Sequence, residues 1–220
     1  MALERRKSSR RLLDPVDRVT EVLFGLIMVL TSTNTLSVAT AGGAEIGTMI
    51  IGALGCNLAW GIIDAALYVM GCLNERGREL LMLRALRQPV SPEEAGRLIA
   101  ENLPESLASV LSPNDAEAMR QKLVRLPEPP PRPGLTRDDA RSAAGICLLV
   151  FVSTFPVVIP FLFIGEVRPA LRLSNAVAIA MMFACGYVFA RYTGLRGWPT
   201  GLLMVAIGCA MVGVAIVLGG

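Results

Sequence analysis

The chain reads as an all-α integral membrane protein, with five transmembrane helices and a small cytoplasmic helical insert between helices two and three. Three observations lead there. Of 220 residues, 53% are hydrophobic and 18% charged, with a mean hydropathy of +0.55, outside the range of water-soluble globular chains. Apolar stretches at Val19 to Ala39, Ile46 to Met70, Ala143 to Ile164, Leu173 to Ala190 and Trp198 to Gly219 each approach the roughly 20 residues that a spanning helix needs. Period-two alternation is absent, which argues against a barrel.

The first span follows Arg5, Arg6, Lys7, Arg10, Arg11 and Arg18, but Asp17 and Glu21 stand at its entrance and no small-residue cleavage site follows. It is therefore expected to be a retained helix rather than a signal peptide. With the N-terminus cytoplasmic and the C-terminus outside, every Lys and Arg except Arg168 and Arg172 falls on the cytoplasmic side, as the positive-inside rule requires. The net charge of +3 is then a matter of topology and of anchoring to anionic lipid, and no nucleic-acid partner is expected. Abundant Ala, Arg and Gly, with no organelle-targeting peptide, point to a bacterial plasma membrane. The five cysteines form no C-x-x-C pair and mostly lie within spans, where they serve as small apolar side chains.

Three segments follow from this reading: 1–71, a cytoplasmic tail with spans one and two; 72–142, the insert; and 143–220, spans three to five. Within the insert, Glu75 to Arg87 continues the helix of span two. Ser91-Pro92-Glu93-Glu94 is a capping box with proline at the first helical position, opening a helix to about Leu103, and Ser112-Pro113-Asn114-Asp115 opens another to about Arg125. Pro127, Pro129, Pro130, Pro131 and Pro133 make residues 126–134 an extended connector, and Thr136 with Asp139 is positioned to cap the helix entering span three. Glu75, Glu79, Glu93, Glu94, Glu101, Glu105 and Glu117, with Met82 and Met119 nearby, offer carboxylate and thioether ligands to a divalent metal. The plainer account makes them solvated partners of the many arginines.

Asp64 stands out because it lies inside an otherwise apolar span. An ionised carboxylate in lipid costs several kcal/mol, so it is expected to face protein or a water-filled path and marks ion or proton movement. On span two Asn57, Trp60, Gly61, Asp64 and Tyr68 share a face; on span one Asp17, Glu21, Gly25, Met28, Ser32 and Thr35 do the same. Facing one another, the two stripes would wall a hydrophilic path, although Ser32 and Thr35 are more simply explained by bonds to their own helix backbone. Histidine is absent, so a cation here would rest on carboxylate, amide, hydroxyl, carbonyl or Met ligands, which suit Fe²⁺, Mn²⁺ or harder ions.

Span three carries Phe155-Pro156-Val157-Val158-Ile159-Pro160-Phe161, with Pro156 and Pro160 bending one membrane helix. This resembles the proline-rich third helix of the vacuolar iron transporter family. Ala190-Arg191-Tyr192-Thr193-Gly194 and the glycine-rich stretch from Trp198 to Gly220 are similar to that family's segments at the same places, as is the plan of five spans with an insert after the second. The resemblance implies a homodimer in which the first two helices of each protomer line a pathway exchanging divalent metal for protons. It also implies that insert glutamates collect metal at the cytoplasmic mouth, with Glu75, Glu79, Glu101 and Glu105 as candidates. By position Asp17 matches the family's aspartate at the start of helix one, and Asp64 lies near its helix-two glutamate.

The expected function is proton-coupled transport of Fe²⁺ or Mn²⁺ out of the cytosol, with no permanently bound cofactor. Asp64 is the central ligand, Asp17 and Glu21 form the entrance, Met28 and Asn57 are auxiliary ligands, and Tyr68 lines the path. The alternative is a non-transporting dimeric anchor whose Arg-rich insert binds protein or anionic lipid. No nucleophile motif or phosphate-cradling glycine loop is present, so an enzyme is not expected.

Overall fold

The computed structural model describes Leu13 and residues 15–40, 45–88 and 91–219; the basic cluster Arg5, Arg6, Lys7, Arg10 and Arg11 lies outside the described residues. Among those residues the secondary structure is entirely helical: α1 Pro15–Ala39, α2 Ile46–Arg87, α3 Pro92–Ala100, α4 Glu105–Ala108, α5 Pro113–Val124, α6 Arg137–Phe163, α7 Val167–Thr193 and α8 Gly197–Gly219. Five of them, α1, α2, α6, α7 and α8, are long and apolar enough to cross a membrane. The chain is an all-α integral membrane protein. Two compact units form, one within Met1–Tyr68 and Arg137–Gly220, the other Val69–Thr136.

In the first unit Leu26, Val29 and Leu30 of α1 pack with Ala53 of α2, Val157 and Val158 of α6, and Ala178 and Met182 of α7 in one buried cluster. Lipid is as apolar as these side chains, so close backbone approach and internal polar bonds must supply what the hydrophobic effect does not. Glycine provides the approach. A Cβ on Gly25 would lie 2.8 Å from the Val150 carbonyl oxygen, one on Gly61 2.9 Å from that of Cys147, and one on Gly186 2.9 Å from that of Thr200. These contacts seat α1 and α2 on α6 and α7 on α8.

Both prolines of α6 lie inside a helix that continues to Phe163. Ser174 of α7 donates to the Val157 carbonyl at 2.7 Å, a polar tie between α7 and the stretch of α6 that lies between the two prolines. At the end of α7 Gly194 adopts φ 74°, and its N–H donates to the Ala190 carbonyl. A side chain would be strained in that left-handed conformation.

The second unit begins on the C-terminal part of α2, a helix of 42 residues and therefore about 63 Å long. Leu86, Ala95 and Ile99 form its buried centre, joined by Met82, Leu98, Leu103, Leu111, Met119 and Leu123. Ser91 and Ser112 cap α3 and α5 by accepting from the N–H groups of Glu94 and Asp115, each at 3.2 Å. The first of these helices stops at Ala100, short of the Leu103 expected from the sequence, and α4 is an added four-residue turn. Pro104 explains the difference, because it disfavours helix in the residue before it, while the Asn102 side chain bonds back to the Leu98 carbonyl. Residues 126–134 are non-helical, as their prolines require.

Candidate functional site

The acids of the two leading helices meet. Glu21 lies one turn after Asp17 on α1, and its carboxyl group is within hydrogen-bonding reach of that of Asp64 on α2, with the Asp17 charge acting on the same group. Glu21 Oε2 is buried and has no hydrogen-bond partner. Asp17 is exposed, Glu21 and Asp64 are half-buried, and Tyr68 is half-buried one turn beyond Asp64. Two carboxyl groups in such contact are compatible when a proton or cation sits between them.

Two turns away on the same face of α2, Asn57 is fully buried. Its amide N–H₂ donates to the Gly25 carbonyl at 3.0 Å and to Thr154 Oγ1 at 2.6 Å, tying α2 to α1 and α6 together. Its Oδ1 has no partner. The Gly25 carbonyl can only accept, which fixes the amide this way round. Ser153 donates to the Val150 carbonyl at 2.7 Å beside this knot.

The rest of the expected stripes separate into distinct roles. Met28 is half-buried. Ser32 donates to the Val29 carbonyl at 3.1 Å, within its own helix, and Thr35 is exposed. Trp60 packs edge-on against Phe24, ring centres 6.0 Å apart, so the indole serves packing between α1 and α2.

A second polar contact in this unit has no counterpart in the sequence reading. Asn34 of α1 and Asn175 of α7 exchange amide hydrogen bonds, both at 3.0 Å. Each is an intramembrane amide, the same signal that singled out Asn57, but neither lies on the acid-bearing face. Asn34→Leu is expected to destabilise the bundle by about 1 kcal/mol. The double variant Asn34→Leu/Asn175→Leu should cost less than the two single changes summed, because no amide is then left unpartnered. Unfolding in mixed micelles by titrated sodium dodecyl sulfate measures both.

In the second unit Glu75, Glu79 and Glu101 border a cavity of about 430 Å³ together with Arg78, Met82, Asn102 and Leu103; Glu105 is not part of its lining. All four glutamates are exposed, and Glu101 stands 3.7 Å from Arg97. Met82 and Met119 belong to the packed centre. Glu117 accepts from Arg120 Nε at 2.7 Å and Nη2 at 2.9 Å, and that hydrogen bonding, with a further one from Gln121, holds its carboxyl down at about 2. Among the described residues no group of three or more Cys, Asp or Glu side chains is arranged to hold a metal ion.

Five spanning helices with carboxyl groups meeting between two of them define a polytopic helical membrane protein. The profile of the VIT family matches residues 83–220, well over half of the chain, and the chain belongs to that family. Family membership makes it a protein of metal-ion transport across a membrane, a family of transporters rather than enzymes. The match takes in most of the insert and the last three spans; Asp17, Glu21, Asn57 and Asp64 precede it. A comparison with curated proteins gives no match.

Proposed function

We propose that the protein exports Fe²⁺ or Mn²⁺ from the cytosol in exchange for protons, with the Glu21 and Asp64 carboxyl pair as the exchange site. The observation that carries this reading is the meeting of those groups between α1 and α2. In the low dielectric of a span, two adjacent carboxylates repel strongly unless neutralised, and either a proton or a divalent cation does so. Binding of metal therefore expels protons, and reprotonation from the far side releases metal. Hard carboxylate oxygens, with histidine absent from the chain, favour Mn²⁺ and Fe²⁺ over ions that prefer imidazole or thiolate.

In this reading Asp17 gathers cations at a cytoplasmic entrance, Met28 and Asn57 assist, Tyr68 flanks the path, and Glu75, Glu79, Glu101 and Glu105 concentrate metal near the insert. The N-terminus is inside, the C-terminus outside, and the membrane a bacterial plasma membrane. The working form is a homodimer with α1 and α2 of each protomer along the pathway. Ile51, Leu58, Ile62 and Leu67 of α2 are exposed on a single chain, a surface available to lipid or to a second copy. A non-transporting anchor gives no reason for two acids to meet within the spans.

The test is uptake of Fe²⁺ and Mn²⁺ into proteoliposomes with and without an imposed pH gradient. Uptake of either ion that rises with the gradient is expected. A correctly folded protein that takes up neither, or whose uptake ignores the gradient, contradicts the proposal.

A further inference from the structure

The insert contains a second polar construction, unrelated to the acids of the spans. Arg84 and Arg87 lie three residues apart near the C-terminal end of α2, on one helix face. Arg84 Nη2 donates to the carbonyls of Pro130 and Pro131 at 3.1 and 2.7 Å, and Arg87 Nη2 to those of Leu126 and Pro127 at 2.6 and 2.9 Å. Farther back on α2, Arg76 Nη1 donates to the Gly134 carbonyl at 2.7 Å. The proline segment thus runs antiparallel to α2 and is stapled to it through backbone carbonyls.

Between staple and strap lies a cavity of about 720 Å³, lined by Arg84, Arg87, Gln88, Glu128, Pro129, Pro130 and Pro131. Three consecutive prolines supply no N–H, so the arginines and Gln88 dominate its donors. Both guanidiniums meet only neutral carbonyls; neither has a carboxylate partner among the described residues. The space they border is many times the roughly 30 Å³ of one water.

We infer that this cavity is an oxyanion site that takes a phosphate group. A guanidinium presents its donors as a planar fork matched to phosphate oxygens, and here two forks are already fixed in place by the strap. Two features oppose an anion, the Glu128 carboxylate and the negative end of the α2 dipole. The dipole amounts to about half a charge and Glu128 is solvent-exposed, so the two guanidiniums prevail. The phosphate belongs either to a free phosphorylated solute or to a lipid headgroup.

The experiment titrates inorganic phosphate into the full-length protein in phosphatidylcholine nanodiscs at constant ionic strength, and repeats it in discs containing phosphatidylglycerol. Saturable binding is expected in phosphatidylcholine, weakened about tenfold or more by Arg87→Gln through loss of a charged hydrogen bond and unchanged by Arg172→Gln outside the insert. Glu128→Gln leaves every staple intact and should tighten binding severalfold, which keeps the inference testable if Arg87→Gln loosens the strap. Affinity equal in both lipids identifies a free solute; affinity lowered by phosphatidylglycerol in wild type but not in Arg87→Gln identifies a headgroup. Absence of saturable binding, or an affinity unmoved by Glu128→Gln, overturns the inference.

Discussion

Asp64→Asn is expected to reduce gradient-driven metal uptake by about 100-fold or more, to the background of empty vesicles. The asparagine is nearly the same shape, so the packing of α2 on its neighbours survives while the charge that binds metal and proton is gone. Loss even of a group supporting a metal ligand typically costs 10- to 100-fold, and here a proposed ligand is itself neutralised. Glu21→Gln should behave similarly, since Glu21 is the group Asp64 meets. Asp17→Asn should be milder, because Asp17 is exposed and water already screens its charge. Uptake by Asp64→Asn at the wild-type rate, in protein that folds as well as wild type, would remove Asp64 from the mechanism.

The second large effect is structural. Gly25→Leu is expected to destabilise the bundle by about 3 kcal/mol or more, at the upper end for overpacking. Its Cβ alone would sit 2.8 Å from the Val150 carbonyl oxygen and 3.2 Å from Val150 Cα, and backbone does not swing aside as a side-chain tip does. Separating α1 from α6 would also break the Asn57 bonds to the Gly25 carbonyl and Thr154. Gly47→Ala is the control, because nothing lies within 4 Å of a Cβ there. Denaturant titration in micelles, reading helix content, measures both. Equal stability of the two variants would show that the approach of α1 to α6 is not needed.

Hydropathy made the five spans legible because a bilayer imposes length and apolarity on any helix that crosses it. The serine caps at Ser91 and Ser112 were legible for a comparable reason, as local chemistry fixes them. Partners were harder to see. Periodicity assigned Glu21 and Asp64 each to a face of its own helix, but a helical period does not say which residues of two helices lie at the same height. The same limit hid Thr154 beneath Asn57, and Asn34 opposite Asn175. The strap was less legible still: Arg76, Arg84 and Arg87 bond to backbone carbonyls, which every residue carries, so no sequence pattern marks their acceptors. Ser32 was legible from its residue type, since a serine in a spanning helix readily bonds back to its own backbone, and its hydroxyl is spent on the Val29 carbonyl.

The central claim, that metal and protons compete for the Glu21 and Asp64 pair, is tested most directly by counting protons released when Mn²⁺ or Fe²⁺ is added to the purified protein in weakly buffered micelles. Wild type should release protons in proportion to metal bound, and the double variant Glu21→Gln/Asp64→Asn should release none from this site. Metal binding without proton release in wild type, or equal release from the double variant, would contradict exchange at these carboxyls.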